Sequence, residues 1–359
     1  MVKRLAIALM LSALVHCAPS NAADEPLDAR VDVAPSDAAT DAADAGETFD
    51  PILDTSPSDA VVSKAFFVMV AQTPPYSPPV SEWKGVTRFD VVDVGAAATE
   101  GTGIDKAAVA DPAGLAFRVE SAELFVGNRH GNTAADGVAG SISRFLYDAK
   151  TRSFTPNGKI LGNSLSAIHQ ITFSPKNGEL FAANLGGGIS RFTFDKSGNA
   201  IPNGTIGTSS MRGVAVAPDG KRLYATTAGN EIQQFDLGTG TALATVTVAG
   251  GSLGFHFMAV VANELYVPAV YGGAVYRFTI GASDDLKQKD TTKADDPIAV
   301  AFSPDGQEMF VAGHLAANVI DRFRYDAAKD TWVATTKIST PVPGTLLVFS
   351  AESRPTVPK

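Results

Sequence analysis

The chain has 359 residues, 45% of them hydrophobic, with 33 Gly and 21 Pro, so it holds enough apolar mass for a sizeable core and much turn material. Its 38 acidic residues against 29 Lys and Arg give a net charge of −9, so composition offers no argument for a basic nucleic-acid face. The single cysteine, Cys17, excludes an intrachain disulfide.

In chain order, Lys3 and Arg4 precede an apolar run over residues 5 to 15, the charge and length pattern of a secretory signal and too short for a membrane span. Cys17 follows closely after that run. LVHC resembles a bacterial lipobox in which the cysteine is acylated and becomes the new N-terminus, although His16 stands where a small residue is expected. The alternative is cleavage near residues 20 to 23, which would release a soluble protein. The expected location is the bacterial cell envelope, lipid-anchored and facing the outer membrane or periplasm, with secretion as the alternative.

Residues 18 to 62 are rich in Asp, Ala, Pro and Ser and poor in large apolar residues, so they read as a disordered acidic tether with a reach of roughly 40 Å. That segment holds nine Asp and two Glu against Arg30, a net of −10. The chain after it sums to −1, so the overall acidity says nothing about the partners of the folded part.

From residue 63 one phrase returns: AFRVESAELFVGNR, TFSPKNGELFAANL, AVAPDGKRLYATTA, AVVANELYVPAV and AFSPDGQEMFVAGH. Aligning the apolar residue before its turn gives Phe117, Phe173, Val216, Val260, Phe302 and Phe349, at spacings of 56, 43, 44, 42 and 47 residues. Each unit predicts a first strand, a turn of the SPDG kind in which Pro presets φ, a second strand such as LFV or LYV, and a third strand, with a weaker fourth. The third carries its own signature in VTRFDVV, ISRFLYD, ISRFTFD, IQQFDLG, VYRFTIG and IDRFRYD. Four short strands per repeat of about 45 residues is the pattern of a β-propeller blade. GTLLVFS near the C-terminus matches a first strand, and KAFFVMV from Lys64 matches a second strand whose first is missing. Joined, they make one blade. The expectation is an all-β, six-bladed β-propeller closed by its N- and C-terminal strands, with a seven-bladed ring as the alternative. The domain plan is a signal over 1–17, a tether over 18–62, a propeller over 63–353 and a tail over 354–359.

SPDGxxLYV followed by an RF strand resembles the lactonase-like, YVTN-type bacterial propeller families, over residues 64 to 353. The resemblance implies the fold. The lactonase family usually has seven blades where this chain shows six, and no catalytic residue is carried over from it.

Residues present in every blade answer a need that every blade shares. Arg88, Arg144, Arg191, Arg277 and Arg322, with Gln234 in the sixth place, are therefore read as pairing and stacking groups rather than a ring of anion sites. Residues that break the repeat are the functional candidates. Four positions before the aligned apolar residue stand Ala113, His169, Arg212, His256, Ile298 and Thr345, which puts His, Arg and His at one level of the channel mouth. His130 and His314 follow second strands and should open on the same face, as should Asn128, Arg129 and Asn184, while Asp111 and Asp296 lie just before first strands.

Three chemistries fit that rim. A metal site has His and Asp available, but the chain has no recognised ligand spacing, and Arg212 would repel a cation. A hydrolytic site would use His169 or His256 as general base and Arg212 on the oxyanion. A binding site would hold a carboxylate or phosphate on Arg129 and Arg212, with the remaining residues as hydrogen-bonding groups. The plain alternative is polar residues at exposed loop ends. The chain contains no G-x-S-x-G, P-loop, dinucleotide fingerprint or CxxCH, so no cofactor is predicted. The leading expectation is a monomeric, envelope-anchored module, with Cys17 as its membrane anchor, that binds a surface protein, a glycan or a small anionic ligand and no nucleic acid. The alternative is a lactonase-like hydrolase opening a lactone or ester through His169, Arg212 and His256.

Overall fold

A computed structural model describes residues 65–71, 85–93, 95–129, 140–250, 253–281, 285–313 and 319–340, and the backbone of 346–350. The signal, Cys17, the tether and the tail lie outside the described residues, as do His130, His314 and Thr345.

The described chain forms six antiparallel four-stranded sheets. The first joins β1 (Phe66–Ala71), β2 (Gly85–Val91) and β3 (Ala98–Asp105) to β24 (Leu346–Ser350). Blade 2 is β4 (Pro112–Arg118), β5 (Glu123–Asn128), β6 (Ser141–Asp148) and β7 (Ser153–Ile160). Blade 3 is β8 (Ile168–Phe173), β9 (Leu180–Asn184), β10 (Ile189–Phe194) and β11 (Ala200–Ile206). Blade 4 is β12 (Gly213–Val216), β13 (Arg222–Thr226), β14 (Glu231–Asp236) and β15 (Ala242–Thr247). Blade 5 is β16 (Ala259–Val261), β17 (Glu264–Ala269), β18 (Ala274–Ile280) and β19 (Leu286–Lys293), and blade 6 is β20 (Pro297–Phe302), β21 (Glu308–Gly313), β22 (Val319–Asp326) and β23 (Thr331–Ser339). The architecture is an all-β, six-bladed β-propeller.

Closure is the pairing of β24 with β1, from Phe66 opposite Ser350 to Val70 opposite Leu346. Three N-terminal strands and one C-terminal strand thus share a wedge. In blade 2 a 3-10 turn, Val119–Ser121, replaces the Pro-Asp-Gly turn between first and second strands.

Why the blades need one another is visible in β1, where every residue is buried. Phe66, Val68 and Val70 pack toward blade 6, while Phe67, Met69 and Ala71 pack toward blade 2. Alternation along a strand sends successive side chains to opposite faces, so each wedge feeds two interfaces. The six buried clusters are accordingly the six inter-blade interfaces. Burying a side chain the size of Phe or Leu contributes about 1.5–3 kcal/mol, and a blade on its own would leave both faces wet.

Candidate functional site

The repeated arginines belong to the framework. Arg144 donates to both oxygens of Glu123 at 2.8 and 2.9 Å, Arg191 to both of Glu179 at 2.7 and 3.0 Å, and Arg322 to both of Glu308 at 2.7 and 2.9 Å. Arg277 pairs with Glu264 at 2.8 Å and Arg88 with Asp90 at 2.7 Å. Three of them also cross to the next wedge: Arg88 to Arg152 O, Arg277 to Asp330 and Arg322 to Ala96 O. The acidic partner has a signature in the chain, the Glu that opens the second strand in AELF, GELF, NELY and QEMF. Blade 4 has Arg222 at that position and Gln234 in place of the arginine, so cation and carboxylate are lost together. Each third strand also shows a register shift against the fourth at or beside this position. In blades 2 and 3 the shift falls on the Asn-Gly of the PNG triplets at 156–158 and 202–204, whose prolines stay paired with Phe145 and Phe192, and Gly158 and Gly204 take φ of +82° and +76°. Asn157 donates to Glu123 and Asn203 to Glu179, each at 2.7 Å, so PNG is a bulge here rather than a hairpin turn.

Four of the described residues that break the repeat, Arg129, His169, Arg212 and His256, gather at one mouth of the axial channel. His169 enters on β8, and Arg129 follows β5 in the neighbouring wedge. Arg129 Nη2 lies 3.0 Å from His169 Nε2. Arg212 immediately precedes β12, and its Nη1 lies 2.9 Å from His256 Nε2. A guanidinium only donates, so both Nε2 atoms accept and each imidazole carries its proton on Nδ1. For His256 that proton goes to Gly254 O at 2.8 Å. His169 Nδ1 has no hydrogen-bond partner among the described residues. The two rings lie 5.9 Å apart, and Phe257 packs against both, 5.0 Å from His169 and 5.9 Å from His256. Burial first, then the charge of Arg129, the neighbouring His256 imidazole and the charge of Arg212, hold His169 well below the ordinary histidine value, so it is neutral at pH 7. The imidazoles are 4% and 6% exposed while both guanidiniums are half-buried, which is not the exposure of loop ends.

The chain's path explains how residues of blades 3 and 5 meet. Before β16 the chain runs inward across the axis, with Phe255 bridging Ala269, Phe257 bridging Ala299 of blade 6, and Phe257 N donating to Ile298 O at 3.1 Å. Gln170, next to His169, fastens this segment. Its Oε1 accepts from Val214 N at 2.9 Å and Met258 N at 3.1 Å, and its Nε2 donates to Met258 O at 2.7 Å. Gly213 is required beside it, since a Cβ there would stand 2.2 Å from His256 O. Nothing in the repeat marked Gln170, because its partners lie 44 and 88 residues away.

The other expected site residues divide. Asn128 and Asn184 are fully buried blade latches: Asn128 accepts from Ala110 N and donates to Ser141 and Ser143, while Asn184 accepts from Ser166 N and donates to Ser190. Their amides are spent inside the wedges. Asp111 and Asp296 sit at left-handed turns, φ +48° and +50°, each before a proline, and Asp111 O accepts from Arg129 N at 3.1 Å. Ala113 and Ile298 are core. Among the described residues no three of His, Cys, Asp or Glu gather as metal ligands.

Below Gln170 and Met258 the channel opens into a cavity of about 530 Å³ walled by the inner strands and bordered by Pro175 and Pro218 of the turns at the opposite mouth. Among the described residues the axis therefore has a charged mouth and an apolar one, with Gln170 as the partition.

No protein-family model matches the chain, and no curated protein sequence matches it. Solved structures do. The chain is similar to proteins assigned as 6-phosphogluconolactonases from Bacteroides uniformis (16% identity over 78% of this chain and 84% of that one, TM-score 0.58) and Bacteroides fragilis (16% over 82% and 100%, TM-score 0.58). It is also similar to the periplasmic gluconolactonase of Pseudomonas aeruginosa (16% over 77% and 83%, TM-score 0.56). At that identity the likeness carries the fold.

Proposed function

We propose that this protein hydrolyses small anionic lactones at the His/Arg mouth. The observation that carries the reading is the pair of guanidinium–imidazole contacts meeting on the axis, His169 with Arg129 and His256 with Arg212. The similarity to proteins assigned as lactonases supports it, and it favours hydrolysis over the binding-only reading.

The chemistry runs through the arginines. In the free site each Nε2 lone pair is occupied by a guanidinium, so neither imidazole can take a proton from water. A phosphate or carboxylate on the substrate is the better partner for Arg129, because a charge-assisted bidentate pair is stronger than a bond to a neutral ring. Binding the anion frees His169 Nε2 and cancels one of the charges that depress its basicity. His169 then removes a proton from water, the hydroxide adds to the lactone carbonyl, and Arg212 stabilises the oxyanion. On collapse the ring C–O bond breaks and the departing alkoxide takes the proton from the imidazolium. Water and lactone thus become the hydroxy acid. A general base of this kind contributes about 10²–10⁴ in rate and an oxyanion donor about 10²–10³.

The test is hydrolysis of a panel of sugar lactones with and without a phosphate. The expected result is turnover favouring the phosphorylated member, lost in His169→Ala and reduced at least 100-fold in Arg212→Ala. A second reading, anion binding without turnover, is favoured by one observation, that both Nε2 acceptors are occupied in the free protein. Stabilisation by sugar phosphates with no lactone opened would select it. Lipid anchoring through Cys17 belongs to the same proposal, and mass spectrometry of the mature N-terminus decides it.

A further inference from the structure

The cavity at the second mouth is chemically unlike the His/Arg mouth. Among the described residues that line it none is ionisable, and Leu115, Phe117, Phe173, Val216, Val260 and Phe302 give it apolar walls. Its volume of about 530 Å³ lies within the ordinary range of small-molecule sites, about 300–1,000 Å³. A charged ligand would lose its hydration against these walls with no counter-charge from them, which favours an uncharged occupant.

The walls carry a second property. β4, β8, β12, β16 and β20 each stand at the end of their sheet order, with a ladder partner on one side only; the Phe257–Ala299 bridge covers part of the free edge of β20. A strand in that position presents backbone N–H and C=O groups along its free edge, and such groups need partners. Gln170 shows what kind of partner fits. At the cavity floor its primary amide accepts from Val214 N and Met258 N and donates to Met258 O, pairing with backbone as another strand would.

We propose that this cavity is a ligand site, separate from the His/Arg mouth, for a small uncharged molecule carrying a secondary amide between apolar groups, such as an N-acyl amide or a capped apolar dipeptide. The amide pairs with an inner-strand edge, and the flanking groups pack on the Phe and Val walls. It does not depend on the proposed hydrolysis.

The probe is N-acetyl-leucyl-valine N-methylamide, titrated into the full chain by ligand-observed NMR or calorimetry. Saturable binding is expected, unchanged by saturating 6-phosphogluconate. An analogue N-methylated at its amides keeps the apolar groups but loses the donors, and it should bind at least tenfold more weakly. Val260→Trp fills the cavity and should cost at least tenfold if it keeps the native circular dichroism. No saturable binding, equal affinity of the methylated analogue, displacement by 6-phosphogluconate, or a folded Val260→Trp that binds as before would each overturn the assignment. The methylated analogue decides on the unaltered protein even if Val260→Trp does not fold.

Discussion

Removing one carboxylate at the closing interface tests how this ring is held together. Glu308 and Arg322 are 1% and 2% exposed in their side chains, joined at 2.7 and 2.9 Å, and Arg322 Nη1 also donates to Ala96 O of blade 1 at 2.6 Å. Glu308→Ala leaves a guanidinium buried with a single carbonyl and the ring of Phe310, 5.4 Å away, as partners. Breaking a buried pair from one side costs about 3–5 kcal/mol, because the remaining charge has neither water nor counter-charge. For roughly 290 folded residues the unfolding entropy is about 0.6 kcal/mol/K, so a loss of about 4 kcal/mol lowers Tm by about 7 °C. The double variant Glu308→Leu/Arg322→Met removes both charges and should recover most of that loss, to within about 1.5 kcal/mol of the parent. Lys329→Ala is the control, since that side chain is 74% exposed and its pair with Asp326 is worth under about 0.5 kcal/mol. Urea unfolding and calorimetry of the four proteins suffice. A Glu308→Ala loss below about 1 kcal/mol, or a double variant as unstable as the single, would refute the reasoning.

Four further outcomes follow from the same structure. Hydrogen bonds from Lys289, Tyr325 and Arg277 hold Asp330 far below the ordinary aspartate value of 3.8; the stability this brings is present above that pH and lost below it. The Tm gap between the parent and Asp330→Asn should therefore be largest near neutrality and close in acid. His169 is depressed from 6.5, so the unfolded chain takes up its proton first as the pH falls and the folded state loses stability below that point. His169→Phe should lose less Tm than the parent between pH 7.5 and 5. Gln170→Ala strands buried backbone groups of Val214 and Met258, each costing about 1–3 kcal/mol, and histidine NMR signals of His256 should shift with the loosened segment. Deleting residues 344–359 removes β24 from β1, and a truncated protein that still melts cooperatively at the parent temperature would contradict closure of the ring.

How far the chain could be read in advance depended on whether a feature repeats. The blade count and the shared closing wedge were legible, because strand alternation and turn residues recur at spacings near 45, and a wedge with two apolar faces has one way to bury both. The framework role of the repeated arginines was legible for the same reason. Their glutamate partners were equally written in AELF, GELF, NELY and QEMF, and blade 4, which loses both members, could have identified the pair. The PNG bulges were not legible, since the same residues suit a two-residue hairpin and only the register decides.

The charged mouth was half legible. Counting from the strand start put His169, Arg212 and His256 at one level, and it also offered Asn128 and Asn184, whose amides turned out to serve the blades. By itself the sequence determined the ring, its order of wedges and which residues depart from the repeat, since those follow from local periodicity. Only the tertiary structure decided that Arg129 takes His169 and Arg212 takes His256, that Phe257 fills the space between, and that Gln170 separates a charged mouth from an apolar one. Those contacts join residues 40 to 88 positions apart in different wedges, where the chain leaves its repeat and no local pattern constrains which side chains meet.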